Sequence, residues 1–220
     1  MGNQSNESAQ ITWFGHSMFL IEDNRGIRII TDPYQEYTGY TPPKISADIV
    51  TISHHHRDHN NISTINGSPE VIDSIGKFNI KGILIEGIPS FHDEVRGKKR
   101  GENIIFKYNV GGITLAHMGD FGQPITDEQV GALLGVDVLM IPVGGVYTID
   151  GKEAARVVKI IKPKIAIPIH YKTAHCAFEI DTAEPFLEEM DVVKRKGSTI
   201  ELSAANIPRN TEAWIMEYVQ

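Results

Sequence analysis

The chain has 220 residues, 41% of them hydrophobic, which is enough to bury a substantial core as one domain. Its formal net charge of -7 argues against the broad attraction to phosphates on which non-specific nucleic-acid binding depends. A single cysteine, Cys176, excludes an internal disulfide, and no apolar run approaches the roughly 20 residues of a membrane span, so we expect a cytoplasmic protein.

The first half of the chain has the pattern of short strands. Residues 1–10 are polar and predict a flexible leader, and residues 11–220 predict a single domain. Apolar or alternating runs then predict strands over 11–14, 17–22, 27–31, 48–53, 81–88, 103–109 and 112–116. Prolines 33, 42 and 43 indicate an irregular loop between the third and fourth of these strands.

Helices are predicted in the second half. Residues 126–129 and 150–153 each have the form of a capping box ahead of apolar residues at helical spacing. Apolar runs over 136–143 and 164–169 follow the two helices and predict buried strands. Strands followed by helix and strand alternation favour a layered α/β fold.

The segment from His54 to His59 contains three consecutive histidines, an arginine, an aspartate and a fourth histidine, directly after a predicted strand. Imidazole nitrogens and carboxylate oxygens are ligands of divalent ions such as zinc. His54 and His56 suit one ion, while Asp58 and His59 can hold a second. The alternative is a solvated histidine cluster or a tag, but a tag is expected at a terminus and not inside the chain.

Four further polar residues come at or just beyond the ends of strand-like runs, where side chains from separate strands can converge on one cleft. These residues are His92, His117, Asp120 and His170. Each of them alone is also typical of an ordinary loop residue or strand end. Gly119, just before Asp120, allows the backbone to bring that carboxylate close to a metal.

The ordered set of His54-x-His56-x-Asp58-His59, then His92, Asp120 and His170, resembles the metallo-β-lactamase superfamily of metallohydrolases. Within it, residues 13–16, 31–33 and 168–171 resemble zinc-dependent hydrolases related to the L-ascorbate-6-phosphate lactonase group. The resemblance implies a four-layer αβ/βα sandwich of two packed sheets with helices on both outer faces. Cys176 lies out of order for the cysteine ligand of the antibiotic-hydrolysing branch, which disfavours that activity.

The resemblance also implies a site with two divalent ions, for which zinc is favoured and manganese or iron are alternatives. His54, His56 and His92 would hold the first ion, Asp58, His59 and His170 the second, and Asp120 would bridge them. His117 competes with His92 for its position and is otherwise a supporting or proton-donating residue. The predicted catalytic residues are Asp120, Asp58 and His117; His16 and Tyr171 are further candidate proton donors, and Asp32 a candidate support for a ligand histidine.

The function that these residues favour is metal-dependent hydrolysis of a small lactone, ester or phosphoester by a metal-activated hydroxide. An anionic substrate is expected if the basic segment 96–100 lines the mouth of the site. The alternatives are a metallo-phosphodiesterase or nuclease, a di-iron redox protein, and a non-catalytic metal-binding protein of the same fold. No membrane or nucleic-acid partner is expected, a homo-oligomer is compatible with the sequence, and the substrate is left open.

Overall fold

The computed structural model describes residues 7–219; residues 1–6 and 220 lie outside the described part. The described residues form sixteen strands, three α-helices and two short 3-10 helices. The strands are β1 (Ala9–Trp13), β2 (Phe19–Asp23), β3 (Arg28–Thr31), β4 (Ile45–Ser46), β5 (Ile49–Thr51), β6 (Ile65–Asn66), β7 (Glu70–Ile72), β8 (Gly76–Ile80), β9 (Ile83–Phe91), β10 (Glu102–Val110), β11 (Ile113–His117), β12 (Val138–Pro142), β13 (Ile165–Ile169), β14 (Val193–Lys196), β15 (Thr199–Leu202) and β16 (Glu212–Met216). The helices are α1 (Asp127–Leu133), α2 (Gly151–Ile161) and α3 (Glu184–Leu187), with 3-10 helices at Glu36–Thr38 and Ile62–Thr64.

Two large sheets form the centre of the molecule. One has six strands in the order β15-β1-β2-β3-β5-β7, and the other has eight in the order β14-β16-β13-β12-β11-β10-β9-β8. Side chains alternate between the two faces of a strand. Phe19 and Ile21 of β2 therefore belong to the core shared by both sheets, while Leu20 between them belongs to a second apolar cluster on the outer face.

The helices lie on the eight-stranded sheet. The helix α2 packs against β12, and α1 and α3 contact α2. The buried residues Ala154, Val157, Val158 and Ile161 of α2 recur at helical spacing and form one apolar face. With 11 residues, α2 is the longest helix within residues 7–219, and no helix there is long and apolar enough to cross a membrane.

Loops cover the outer face of the six-stranded sheet, where the resemblance implied α-helices. Tyr34 and Tyr40 lie on either side of the 3-10 helix Glu36–Thr38 and belong to the cluster on this face. Cys176 and Ile180, from the loop after β13, complete it. The sandwich is therefore confirmed, and its helical layer on this side is replaced by packed loops.

The first strand begins earlier than expected. Ala9 pairs with Asp23 of β2 and with Leu202 of β15, and its side chain is buried. Residues 9 and 10 are thus part of the sheet and not of a flexible leader. Residues 1–6 of the predicted leader lie outside the described residues.

Six of the strands that end at one edge of the sandwich lead to predicted site residues. In the six-stranded sheet, β1 and β3 are both antiparallel to β2, and β5 is parallel to β3. In the eight-stranded sheet, β9 and β11 are both antiparallel to β10, and β13 follows β11 and β12 in the same direction. The residues that come at or after these six carboxyl ends are His16, Asp32, His54, His92, Asp120 and His170.

Both predicted capping boxes are present, and the one on α2 gives a stability test. The Asp150 carboxylate accepts a hydrogen bond from the backbone N–H of Glu153 at 2.8 Å. Asp150→Ala should lower the free energy of unfolding by about 1 kcal/mol, because it leaves an N-terminal helix donor without its partner. Urea unfolding followed by circular dichroism measures this. Glu153→Gln, which can still close the box, is the matched control, and an unchanged midpoint for Asp150→Ala would contradict the prediction.

Candidate metal centre

The seven predicted metal ligands lie together at this edge of the sandwich. Ligand atoms of His54, His56 and His92 lie within 4.8 Å of one another and form a first group. A second group with the same spacing contains Asp58, His59 and His170, together with His16. The structure therefore brings His92 to the first group, as preferred from the sequence, and not His117.

Asp120 lies between the two groups. Its Oδ2 is 3.0 Å from His92 Nε2, 3.3 Å from His170 Nε2 and 3.8 Å from His54 Nε2. Its Oδ1 is 3.3 Å from His59 Nε2. One oxygen faces mainly the first group and the other faces His59 of the second, which is the arrangement that a carboxylate shared by two ions requires.

The spacing of these donor atoms fits metal coordination. In a tetrahedral site with metal–ligand bonds of about 2.1 Å, neighbouring ligand atoms lie about 3.4 Å apart. The contacts of Asp120 with its four histidines range from 3.0 to 3.8 Å. His54 Nε2, His59 Nε2 and Asp120 Oδ1 are buried and have no hydrogen-bond partner among residues 7–219. Buried polar atoms normally have a partner, so these atoms fit a bound divalent ion.

The charges of the site favour a cation. Burial raises the pKa of Asp120, but His170 and His59 outweigh it and hold that pKa well below its ordinary value. Burial lowers the pKa of His59, but the carboxylates of Asp120 and Asp58 hold it well above its ordinary value. The same negative field that would retain a proton on His59 attracts a divalent ion, which competes with the proton for the nitrogen.

Asp32 and Ser53 orient two of the ligand histidines. Asp32, buried at the end of β3, accepts hydrogen bonds from Ser53 N at 2.7 Å, Ser53 Oγ at 2.6 Å and His59 Nδ1 at 2.9 Å. Because the Ser53 hydroxyl gives its only proton to Asp32, it accepts the hydrogen bond from His54 Nδ1 at 2.9 Å. Both rings then carry a proton on Nδ1, and Nε2 is left with a free lone pair that faces Asp120.

His117 does not line the cavity at the predicted ligands, so the structure gives no support to its predicted role as a catalytic proton donor. Its Nε2 donates to the Ser17 carbonyl at 2.8 Å, and its Nδ1 accepts from the backbone N–H of Gly119 at 3.2 Å. Both nitrogens are engaged with the backbone, and the ring is 1% exposed. His117 instead supports the turn that presents Asp120. Tyr171 is also buried, stacks on Trp13 and is absent from the lining of that cavity.

The turn before Asp120 requires glycine. Gly119 has a φ of +55°, and a Cβ there would lie 2.5 Å from Asn103 Oδ1 and from Ser53 Cβ. The Asn103 side chain accepts a hydrogen bond from Asp120 N at 2.9 Å and donates one to the Met118 carbonyl. Neither Asn103 nor Ser53 was predicted from the sequence. Ser53 directly precedes His54, which is a signal that was available, whereas an asparagine within β10 gives none.

A cavity of about 310 Å³ opens onto the centre. Its lining contains five of the predicted ligands, three aromatic side chains and one arginine: His56, Asp58, His92, Asp120, His170, Tyr37, Tyr147, Phe178 and Arg100. Tyr37 donates a hydrogen bond to Asp58 Oδ1 at 3.2 Å, and burial followed by the charge of Asp58 raises the pKa of Tyr37 to about 12. The Tyr37 phenol therefore keeps its proton at neutral pH, and the Tyr147 phenol lines the same cavity.

The basic segment 96–100 contributes only Arg100 to this lining. The Arg100 guanidinium donates to the Val146 carbonyl at 3.0 Å and lies 5.7 Å from the centre of the Tyr147 ring. The Asp93 carboxylate fixes this loop, since it accepts hydrogen bonds from four backbone N–H groups, including that of Arg100 at 2.8 Å. The position of Arg100 is thus set by the backbone.

Several known proteins resemble this chain in sequence and in fold. Residues 10–170 match the family model described as the Beta-lactamase superfamily domain. A UPF0173 metal-dependent hydrolase of Carboxydothermus hydrogenoformans is 30% identical over 193 residues, which cover 74% of this chain and 85% of that protein. A UPF0173 metal-dependent hydrolase of Staphylothermus marinus is 34% identical over 199 residues, which cover 75% of this chain and 84% of that protein. A crystal structure from Thermotoga maritima, described as a Zn-dependent hydrolase of the metallo-beta-lactamase superfamily, has a TM-score of 0.80 and 36% identity, covering 96% of this chain and 100% of that one.

The hydrogen bonds of Asp32 predict a large effect on metal affinity. Asp32→Asn should weaken metal binding on the order of tenfold to a hundredfold, because an amide oxygen cannot hold both Ser53 and His59 as the carboxylate does. Equilibrium dialysis with elemental analysis of bound zinc measures this. Asp73→Asn, which alters a half-exposed carboxylate next to His55, is the control. Equal zinc affinity in the two variants would show that Asp32 does not orient the ligands.

Proposed function

Because the chain belongs to the β-lactamase superfamily and is a metal-dependent hydrolase, we propose that it binds two divalent ions, preferably zinc, and hydrolyses a small anionic ester, lactone or phosphoester. The observation that supports this most strongly is the position of Asp120 between two groups of histidines that open onto one cavity. His54, His56 and His92 would hold one ion, and Asp58, His59 and His170 the other. When bound, such ions supply Lewis acidity and lower the pKa of water.

The dimensions of the cavity favour a small substrate. Ligand pockets range from about 300 to 1,000 Å³, and the cavity of about 310 Å³ is at the lower limit. The formal net charge of -7 also disfavours a polyanion such as RNA or DNA. Both observations favour hydrolysis of a small molecule over the nuclease alternative.

The charge and shape of the mouth suggest what the substrate contains. A guanidinium has five N–H donors, and Arg100 uses one of them on the Val146 carbonyl, so the others can bind a carboxylate or phosphate. Phe178 meets Tyr37 and Tyr147 edge to face, with ring centres 5.9 and 6.4 Å apart. These three rings add an apolar surface to the lining of the cavity. A substrate with an anionic group and an apolar body suits this mouth.

Removal of metal tests the reaction class. Dialysis against a chelator should abolish turnover of model lactones, carboxyl esters or phosphodiesters, and added zinc or manganese should restore it. Asp120→Ala and His59→Ala should not regain activity, because they remove donors from the shared part of the centre. His55→Ala, which removes an exposed imidazole outside the ligand groups, should be restored like the unaltered protein. Full activity of the chelated protein would refute metal-dependent hydrolysis.

Arg100 gives a separate test of the substrate class. Arg100→Ala should lower kcat/KM for an anionic substrate on the order of tenfold to a hundredfold, since a hydrogen bond to a charged group contributes roughly 1.5–3 kcal/mol. A neutral analogue with the same scissile bond should be unaffected. Lys98→Ala removes an exposed charge from the same loop outside the cavity and is the control. An equal loss on both substrates, or none on either, would contradict an anion site at Arg100.

A further inference from the structure

We infer that His16 is an eighth metal ligand, which completes the second ion position with a third imidazole. The resemblance to known metallohydrolases assigned seven ligands and left His16 as a candidate proton donor. This inference rests on the metal centre of the proposed function and is independent of the substrate. It makes the two ion positions chemically unequal.

The position of the His16 ring carries the inference. Its Nε2 lies 3.2 Å from Asp58 Oδ2, and His59 Nε2 lies 3.5 Å from the same oxygen. The His16 ring centre is 4.3 Å from that of His170 and 5.0 Å from that of His59. The two contacts with Asp58 Oδ2 match the edge of a tetrahedral site, for which about 3.4 Å is expected between donors. The ligand atom of His170 belongs to the same group, whose members all lie within 4.8 Å of one another.

The backbone holds His16 in an unfavourable conformation to achieve this position. His16 has a φ of 51°, in the left-handed region that a histidine seldom adopts. Its carbonyl accepts hydrogen bonds from the Trp13 indole at 3.2 Å and from His170 N at 3.3 Å. The ring is 1% exposed, and its Nδ1 has no hydrogen-bond partner within residues 7–219. Strain of this kind persists where the surrounding structure determines the conformation, as at binding sites.

The alternative is that His16 only donates a hydrogen bond to orient Asp58. Tyr37 already holds Asp58 through its other oxygen, Oδ1, at 3.2 Å. An orienting donor also has no need to approach two further ligand imidazoles, whereas a ligand must. His16 is absent from the cavity lining, unlike Asp58 and His170. It therefore closes the second ion position from the protein side and leaves the cavity side to the substrate.

The two positions would then differ in their donors. The first has three imidazoles and a share of Asp120. The second has the imidazoles of His16, His59 and His170, the carboxylate of Asp58 and the other oxygen of Asp120. More donors and deeper burial predict that the second position fills first and that the first position, lined by the exposed His56, exchanges more readily.

Cobalt-loaded protein labelled with 15N-histidine tests this without any activity measurement. Each buried imidazole bound to Co(II) gives one hyperfine-shifted, slowly exchanging ring N–H signal. We expect five such signals in the unaltered protein, from His16, His54, His59, His92 and His170. In His16→Gln, which can still donate to Asp58 but is a poor cobalt ligand, we expect four, with binding of one of the two ions weakened on the order of tenfold or more.

The control is His55→Ala, which removes a neighbouring exposed imidazole and should retain all five signals. Four shifted signals in the unaltered protein, or the same number in His16→Gln, would overturn the inference and leave His16 as a positioning residue. The number of shifted signals in the unaltered protein shows whether His16 binds metal even if His16→Gln fails to fold. Absence of any shifted histidine signal would instead refute the metal centre, and with it the proposed function.

Discussion

The structure depends on one buried carboxylate. Asp120 is 2% exposed and is surrounded by four imidazoles from three strand ends, yet its Oδ1 has no hydrogen-bond partner within the described residues. A buried charge is destabilising unless it is paired or bound to metal. The histidines compensate this carboxylate only if they carry protons or if they share cations with it. The second option leaves their Nδ1 protons for Asp32 and Ser53, which are placed to receive them.

The sandwich accounts for this convergence. Carboxyl ends of three strands in each sheet meet at one edge, so residues far apart in sequence reach a common point without a long insertion. Backbone contacts then fix each loop: His117 supports Gly119, Asn103 holds Asp120, and Asp93 holds the loop of Arg100. The deep side of the centre is made of rigid ligands and their hydrogen-bond partners, and the outer side is a small cavity with an arginine and aromatic rings. On the proposed function, ion binding and substrate selection would therefore depend on different residues.

Many of the strands and both longer helices could be predicted from the sequence, because the local residue patterns agree with the fold. The capping boxes of α1 and α2 and the strands that lead to the predicted ligands follow from the sequence and are present in the structure. The structure also places His92, and not His117, beside His54 and His56. The strands β4, β6, β7 and β8 and the strands β14 to β16 were not predicted. In β14, three basic residues follow an exposed valine, so this strand gives no apolar alternation. The direction of the His117 side chain could not be predicted, because the sequence does not show which way a ring at the end of a strand points. Arg100 could not be separated from its basic neighbours, because only the hydrogen bonds of Asp93 determine which of them faces the cavity.

Anomalous X-ray diffraction at the zinc edge from crystals of the zinc-loaded protein tests the central claim most directly. The account predicts two peaks about 3.5 to 4 Å apart, one on each side of the Asp120 carboxylate. One peak should lie among His54, His56 and His92, and the other beside Asp58, His59 and His170. A single peak, or zinc bound away from Asp120, would contradict a centre built around a shared carboxylate.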